Sequence, residues 1–245
     1  MSLSAIVFTG ALILLIIHLI PEPVDDSSTP FIPPPSSSEE LVDNPKNFAE
    51  LQTQNADICG WLTLPDMTDP DNPGIISDYP ILQSSDDPED FYLDHDVSKK
   101  YKFAGSLYIQ KMNYKDFSDP NTVIYGHNMI NGSMFGKLKQ FRNKDFFDKN
   151  ETFYIYAPGH IYTYRIFSAF VYDNRHILNA FDFYSEDGFA AFLEQSLNPV
   201  SMVRNVREGV SVTTADRIVT FSTCTNNSKE RYLVEGVLIN DQLTR

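Results

Sequence analysis

The 245-residue sequence has few cysteines and few basic residues, and each shortage argues against a class of protein. Two cysteines cannot build a disulfide-rich scaffold, and they fall short of a structural zinc site, which usually takes four Cys or His ligands at short spacings. Lys and Arg number 19 against 33 Asp and Glu, a formal net charge of −14. We expect no nucleic-acid partner, because phosphate neutralisation requires clustered Lys and Arg.

The sequence also lacks internal repeats with periods of about 20 to 50 residues, which argues against a solenoid or propeller. It is instead rich in aromatic side chains, with 18 Phe and 13 Tyr. This enrichment favours strands over a helical bundle. With 42% hydrophobic residues, the chain can bury a substantial core in one domain, or at most in two small ones.

The N-terminus carries an almost wholly apolar run from Leu3 to Ile20. A helix of about 18 residues spans about 27 Å, just enough to cross a bilayer. No small-x-small cleavage site follows the run, so we predict a transmembrane anchor in residues 1–20, with a signal segment as the alternative. Acidic residues follow the run and the first basic residue is Lys46. This distribution predicts a single-pass protein of the cell membrane whose bulk is extracellular.

Residues 21–43 are rich in Pro and Ser, with three consecutive prolines at 33–35. Such a composition buries too little apolar surface to offset the conformational entropy lost on folding, so we interpret this segment as an extracellular spacer. The folded domain is then predicted to span residues 44–245.

Eight short β-like runs follow a predicted capped helix that begins at Asn44-Pro45. They cover residues 61–64, 80–83, 106–110, 122–127, 152–157, 161–172, 217–224 and 231–239. A mainly β fold with eight strands indicates a closed or nearly closed barrel, because closure removes exposed strand edges.

Two helical insertions interrupt the predicted strands. Met134, Leu138 and Phe141 recur at helical spacing in the first. The second, residues 185–198, has an apolar face and separates the sixth strand from the seventh. We expect this second helix to border the substrate groove.

The seventh and eighth predicted strands form a hairpin that carries candidate chemistry. Cys224 closes one strand and Arg231 opens the next, so the two residues are expected to be cross-strand neighbours with Cβ atoms about 5 Å apart. A cation beside a thiol favours the nucleophilic thiolate, and a guanidinium can bind an oxyanion. Taken alone, the hairpin also fits an alternative in which Cys224 is a small buried residue and Arg231 is a solvated charge at a strand end.

A third residue favours the catalytic interpretation. His127 follows a buried β-like run in Tyr125-Gly126-His127-Asn128-Met129, which places its imidazole at a strand end, where loops build sites. The remaining domain histidines, His95, His160 and His176, are interpreted as structural. Cys59 is interpreted as a small buried residue, and a disulfide between Cys59 and Cys224 is not expected.

The sequence resembles the sortases, cysteine transpeptidases of Gram-positive bacteria, over most of residues 46–240. The match is carried by residues 125–129, by Thr-Phe-Ser-Thr-Cys-Thr at 220–225 and by Arg231. Further likeness lies in residues 60–65, 79–83 and 91–96. Residues 134–138 and the helix at 185–198 resemble class B most. The resemblance implies an eight-stranded sortase-type β-barrel with an N-terminal helix and helical insertions.

The resemblance also implies a mechanism and partners. Cys224 would attack the carbonyl of a threonine in a C-terminal sorting motif of a secreted protein and form a thioester. His127 would act as general acid and base, and Arg231 would stabilise the oxyanion. The acceptor would be an amine of a peptidoglycan cross-bridge or its lipid-linked precursor, or a lysine in pilus-building relatives. Ser222 and Thr223 are candidate substrate-binding residues.

No cofactor or metal is expected. The acidic stretches at 66–71 and 84–90 lack EF-hand spacing and are interpreted as solvated loops. Two other functions remain open at this point. One is a cysteine hydrolase that releases the acyl group to water, and the other is a non-catalytic wall-binding module on the same barrel.

Overall fold

The computed structural model describes residues 41–85 and 88–245, which belong to one compact unit. The predicted anchor at 1–20 and nearly all of the predicted spacer at 21–43 lie outside the described residues. Within the described part of the chain, no helix is long and apolar enough to cross a membrane.

The described residues form four α-helices and nine strands. The helices are α1 Phe48–Gln54, α2 Lys144–Lys149, α3 Ile177–Ala180 and α4 Glu186–Leu197. The strands are β1 Ile58–Asp66, β2 Gly74–Leu82, β3 Leu107–Ile109, β4 Asn121–Tyr125, β5 Thr152–Ala157, β6 His160–Asp173, β7 Arg204–Val206, β8 Ile218–Cys224 and β9 Glu230–Leu243.

The strands form one sheet in the order β5-β1-β2-β3-β4-β8-β9-β6-β7, and a further β5–β6 pairing closes it into a barrel. The barrel therefore has eight strands, as the sequence predicted. Two neighbouring pairs, β2–β3 and β4–β8, are parallel and the others are antiparallel. The short strand β7 lies outside the barrel on the edge of β6, and its three residues were too few to be recognised in the sequence.

Alternating residues of β8 face two different hydrophobic clusters. Val219 and Phe221 belong to the interior cluster of the barrel, where the Phe221 ring lies 4.6 Å from that of Phe153. Ile218 belongs to a second cluster that includes Phe189 and Phe192 of α4. Because side chains alternate along a strand, Cys224 lies on the same outer face as Ile218. The nucleophile candidate is thus on the outside of the barrel wall.

The predicted helix starts were only partly right. Helix α1 begins at Phe48 rather than Pro45, because the Asn47 side chain caps it and accepts a hydrogen bond from the Glu50 amide. The Asn44 side chain instead donates to the Ala157 carbonyl oxygen at 2.9 Å. A capped helix is therefore present, but it starts three residues later.

The first helical insertion is shorter and tighter than predicted. Met134 has a φ of 50°, which an α-helix cannot accommodate, so the segment forms a turn followed by a 3₁₀ helix at Leu138–Arg142. Met134, Leu138 and Phe141 are nevertheless buried, which explains their helix-like spacing in the sequence.

The second insertion was predicted correctly as helix α4. The Ser185 hydroxyl caps it by accepting a hydrogen bond from the Gly188 amide at 3.1 Å. Position 188 requires glycine, because a Cβ there would lie 2.3 Å from the Asp182 carbonyl oxygen. The buried Phe189 and Phe192 hold α4 against the outer face of the barrel.

Candidate active site

Cys224 and Arg231 are direct partners in the antiparallel register of β8 and β9. Five residues, 225–229, connect the two strands. The Cys224 residue is exposed and Arg231 is half-buried. The predicted cross-strand pair is therefore present, and its thiol is open to solvent.

The parallel pairing of β4 with β8 brings His127 to the same place. Tyr125, the last residue of β4, is aligned with Ser222 of β8. Two residues further along each chain are His127 and Cys224. Because paired strands lie about 4.8 Å apart, this register places the histidine beside the cysteine.

Three hydrogen bonds fix the loop that carries His127 to the strand that carries Cys224. The Gly126 amide donates to the Ser222 carbonyl oxygen at 3.3 Å. The Thr223 hydroxyl donates to the Gly126 carbonyl oxygen at 2.7 Å. The Asn128 side-chain amide donates to the Cys224 carbonyl oxygen at 3.0 Å. The residues on both sides of His127, Gly126 and Asn128, are therefore hydrogen-bonded to β8.

The surroundings of His127 also explain the glycine before it. A Cβ at Gly126 would lie 2.4 Å from a Leu107 side-chain carbon and 2.9 Å from the Phe135 ring. The Phe135 amide donates to the His127 carbonyl oxygen at 3.0 Å, and the exposed Phe103 ring stacks on the imidazole at 5.6 Å. These contacts fix the position of the backbone and restrict the ring.

All three candidate catalytic residues line one cleft of about 240 Å³ on the outer face of the barrel, referred to below as the first cleft. Its floor includes the stacked rings of Tyr108 and Tyr125, and the segment 174–177 forms part of its wall. Burial raises the pKa of both tyrosine hydroxyls, so they remain neutral donors at physiological pH. The first cleft thus combines an aromatic floor with a nucleophile, an imidazole and a guanidinium.

Comparison with known proteins shows the family of this chain. The sortase domain family model matches residues 73–239. The chain belongs to the sortase family. Sortase B of Listeria monocytogenes is 36% identical over 196 residues, covering 78% of this chain and 73% of the relative.

Solved sortase B structures share the fold over most of the chain. The Clostridium perfringens sortase B structure superposes with a TM-score of 0.67 at 28% identity and covers 79% of this chain and 100% of that one. The Staphylococcus aureus sortase B–substrate complex superposes with a TM-score of 0.66 at 26% identity and covers 82% and 87%. These relatives support class B, and the chain is a cysteine transpeptidase of that class.

In this sortase the Arg231 guanidinium is partly engaged by its own hairpin. Nη1 donates to the carbonyl oxygens of Ser228 at 3.3 Å and Glu230 at 3.0 Å. Among the described residues, Nε and Nη2 have no hydrogen-bond partner. Arg231 is thus held in place by one nitrogen and keeps two nitrogens for an incoming oxygen atom.

Ser222 and Thr223 both line the first cleft and are both buried. The Thr223 hydroxyl is already committed to Gly126, so its contribution to the site is to hold the histidine loop. Among the described residues, the Ser222 side chain has no hydrogen-bond partner, and it remains a candidate for substrate contact.

His176 was interpreted from the sequence as structural, but it lies in the wall of the first cleft. Its Nε2 atom is 2.7 Å from the Gln110 Oε1 atom, and its Nδ1 atom accepts from the Asn179 amide at the start of α3. No short motif surrounds His176, so only the bend between β6 and α3 brings it to the cleft.

Helix α4 was expected to border the substrate groove, and none of its residues lines the first cleft. The segment 174–177, which precedes it, borders the first cleft instead. The apolar face of α4 is used to pack on the barrel, as Phe189 and Phe192 show. A helix that covers the hydrophobic wall cannot present that same face to a substrate.

Cys59, the other cysteine, is unsuited to catalysis. It lies in β1, is almost fully buried, and its thiol is 3.4 Å from the Ile81 carbonyl oxygen. Burial raises the pKa of this thiol to about 12, so it stays protonated at neutral pH. Both cysteines are free, which confirms that they do not form a disulfide. Among the described residues, no group of three or more His, Cys, Asp or Glu is placed to hold a metal ion.

Proposed function

We propose that this sortase is a membrane-anchored transpeptidase that cleaves a C-terminal sorting motif of secreted proteins after a threonine. The cleaved protein is then joined to an amine of the peptidoglycan cross-bridge or its lipid-linked precursor. One observation carries the proposal: Cys224, His127 and Arg231 come from three neighbouring strands or strand ends and line one cleft.

In the first half-reaction, the Cys224 thiolate attacks the threonine carbonyl carbon and forms a C–S bond. The carbonyl oxygen becomes an oxyanion, which the free Nε and Nη2 donors of Arg231 stabilise. The C–N bond then breaks, and His127 in its imidazolium form gives a proton to the departing amine. A thioester remains on Cys224.

In the second half-reaction, an acceptor amine attacks the thioester carbon. Neutral His127 takes the proton from the attacking nitrogen, Arg231 again stabilises the oxyanion, and the Cys224 thiolate leaves. An amide bond forms and the free enzyme is restored. The step requires no oxidant and no cofactor.

Several observations support the substrates and the location. A relative, Staphylococcus aureus sortase B, has been solved as a substrate complex. The apolar run at residues 3–20 and the Pro/Ser-rich spacer at 21–43 would hold the catalytic domain at the outer membrane surface. Both substrates of the proposed reaction are found there. A pilus-type reaction with a lysine acceptor uses the same chemistry.

Hydrolysis is a second candidate outcome of the same acyl-enzyme. Cys224 is exposed, so water can reach a thioester formed on it. The competition between water and an amine then decides the product.

Product analysis tests the proposed function. The full-length protein in detergent micelles is incubated with a library of fluorogenic sorting-type peptides, with and without triglycine as an amine. We expect cleavage after threonine and a triglycine adduct. A free acid in both samples would favour the hydrolase. Absence of cleavage across the library, from folded protein, would contradict the proposal and favour a wall-binding module.

A further inference from the structure

A recess of about 410 Å³ lies next to the first cleft and is referred to below as the upstream recess. It lies between residues 112–121, which end at the start of β4, and residues 178–184, which run from α3 towards α4. Gln110 and Ile177 line the first cleft, and each is followed within two residues by one that lines the recess, Met112 and Leu178. The upstream recess therefore continues the first cleft.

The strand register gives the position of the upstream recess relative to the nucleophile. Asn121 lines the recess and is aligned with Ile218, the first residue of β8, whereas Cys224 is the last residue of that strand. At about 3.3 Å per residue, the length of β8 between these two ends is about 20 Å. An extended peptide covers that distance with about six residues.

Hydrogen bonds between the two walls hold the upstream recess open at both ends. At the end next to the first cleft, His176 Nε2 lies 2.7 Å from Gln110 Oε1. Further along, the Tyr184 hydroxyl donates to the buried Asp119 carboxylate, which also accepts from the Tyr114 amide at 2.6 Å. The recess is thus formed in the absence of a ligand.

The walls of the upstream recess are apolar with an acidic edge. The apolar side chains that line it are those of Met112, Leu178, Phe181 and Phe183. Among the described residues that line it, none is basic, and Asp119 and Asp182 are acidic. Asp182 is exposed and forms no ion pair within the described part of the chain. The recess therefore favours a large apolar side chain and disfavours an acidic one.

The course of the proposed reaction indicates which molecule reaches the upstream recess. After the first half-reaction, Cys224 carries the part of the substrate that precedes the cleaved bond. This part continues into the secreted protein, so the chain must leave the first cleft at an end away from Cys224. The upstream recess lies at such an end and is continuous with the first cleft.

We propose that the upstream recess binds the segment of the secreted substrate that precedes the sorting motif. A large apolar side chain at roughly the sixth to eighth residue before the cleaved bond occupies it. The inference rests on the proposed function and adds a determinant of substrate choice outside the motif.

A positional scan of peptides tests the inference. Each peptide carries the same cleavable sorting motif behind an extension of Ser and Gly, and one Phe is moved along the extension. With the full-length protein in detergent, kcat/KM is compared with that of the peptide without Phe. We expect a maximum gain of about five- to tenfold near the sixth to eighth residue, the effect of burying part of a large apolar side chain. Glu at the same position should lower kcat/KM.

Variants of the recess separate its apolar and acidic contributions. Met112→Ser should at least halve the gain from Phe, and because Met112 is 45% exposed the fold should be retained. Asp182→Asn should reduce the penalty for Glu. Met202→Ser is the matched control, because Met202 is 96% exposed and does not line the recess, so it should leave the gain unchanged.

Photocrosslinking locates the extension directly. Benzoylphenylalanine replaces Phe at the best position of the scan, and digestion with mass spectrometry identifies the attached segment. We expect attachment within residues 112–121 or 178–184. Attachment near Asp90 or Leu93, which line another side of the first cleft, would overturn the inference.

A scan without a maximum, or an undiminished gain in Met112→Ser, would also overturn the inference. Absence of cleavage of every peptide, including the one without Phe, has a different meaning, because it contradicts the proposed function itself.

Discussion

The Thr223 hydroxyl donates a buried hydrogen bond of 2.7 Å to the carbonyl oxygen of Gly126. This bond joins the residue before Cys224 to the residue before His127. Cys224 and His127 are thus positioned relative to each other by the residues that precede them in the chain. Preorganisation of this kind contributes to rate because a small displacement of either group is costly.

Replacing Thr223 by valine should loosen the relative placement of the Cys224 thiol and the His127 imidazole. Thr223→Val keeps the size of the side chain but leaves the buried Gly126 carbonyl unpaired, which should lower the free energy of unfolding by about 1–3 kcal/mol. We also expect kcat to fall while KM for the peptide changes little. Denaturant unfolding and steady-state kinetics measure the two effects.

Thr223→Ser is the matched control, because it retains the hydroxyl and should restore most of kcat. If Thr223→Val has wild-type kcat, the hydrogen bond does not position the site.

Replacing Arg231 should lower kcat for peptide cleavage rather than raise KM for the peptide. Arg231→Ala removes the proposed oxyanion donors and should lower kcat about 10²–10³-fold, the usual loss for one such donor. Arg231→Lys keeps the charge but loses the forked geometry, so it should recover only part of the rate. The kinetics of peptide cleavage test both variants, and a loss confined to KM would argue for substrate binding instead.

The two cysteines should differ in reactivity. Cys224 is exposed, whereas the Cys59 thiol is buried with its pKa raised to about 12. Iodoacetamide at pH 7 should therefore add one carbamidomethyl group to the native protein, at Cys224, as peptide mapping can show. Cys59→Ala should remain active, and modification of Cys59 in the native state would contradict its burial.

A buried carboxyl group, Glu235 on β9, should make stability depend on pH. Burial raises its pKa to about 8, while the Ser196 hydroxyl opposes the shift. Between the ordinary pKa of 4.5 and this raised value, the unfolded chain has lost the proton and the folded chain keeps it. Folding then requires proton uptake, so this contribution to stability is present below pH 4.5 and is lost as pH rises towards 8.

Glu235→Gln should abolish this dependence, because the amide does not titrate. The stability of the wild type relative to Glu235→Gln should fall by roughly 1 kcal/mol per pH unit between about pH 5 and pH 7. Urea unfolding at several pH values measures the difference. Parallel stability curves for the two proteins would show that Glu235 is ionised in the folded state.

The barrel could be predicted from the sequence because its signals are local. Strands β8 and β9 are continuous β-like runs in the sequence, and the short connection between them fixes Cys224 opposite Arg231. The placement of His127 in the same cleft as this pair is not local. It depends on the parallel pairing of β4 with β8, which joins segments about a hundred residues apart, and only the family resemblance suggested it.

Other parts of the site left no recognisable signal. His176 reaches the first cleft because the chain bends after β6. The helix predicted at Met134 was wrong because burial alone produced its spacing, while its backbone turns with a positive φ. The spacing of apolar residues shows which residues face the core, but it does not always show whether they lie in a helix.

Intact-mass spectrometry of the reacting enzyme can detect an acyl group on Cys224. The full-length protein is mixed with a cleavable sorting peptide, the reaction is quenched with acid, and the mass of the intact protein is measured. Peptide mapping after digestion then locates the modified residue. We expect an adduct with the mass of the acyl fragment on Cys224, which hydroxylamine removes. The adduct should be present in Cys59→Ala and absent from Cys224→Ala. Peptide cleavage by Cys224→Ala, or an acyl group on any other residue, would contradict the assignment of Cys224 as the nucleophile.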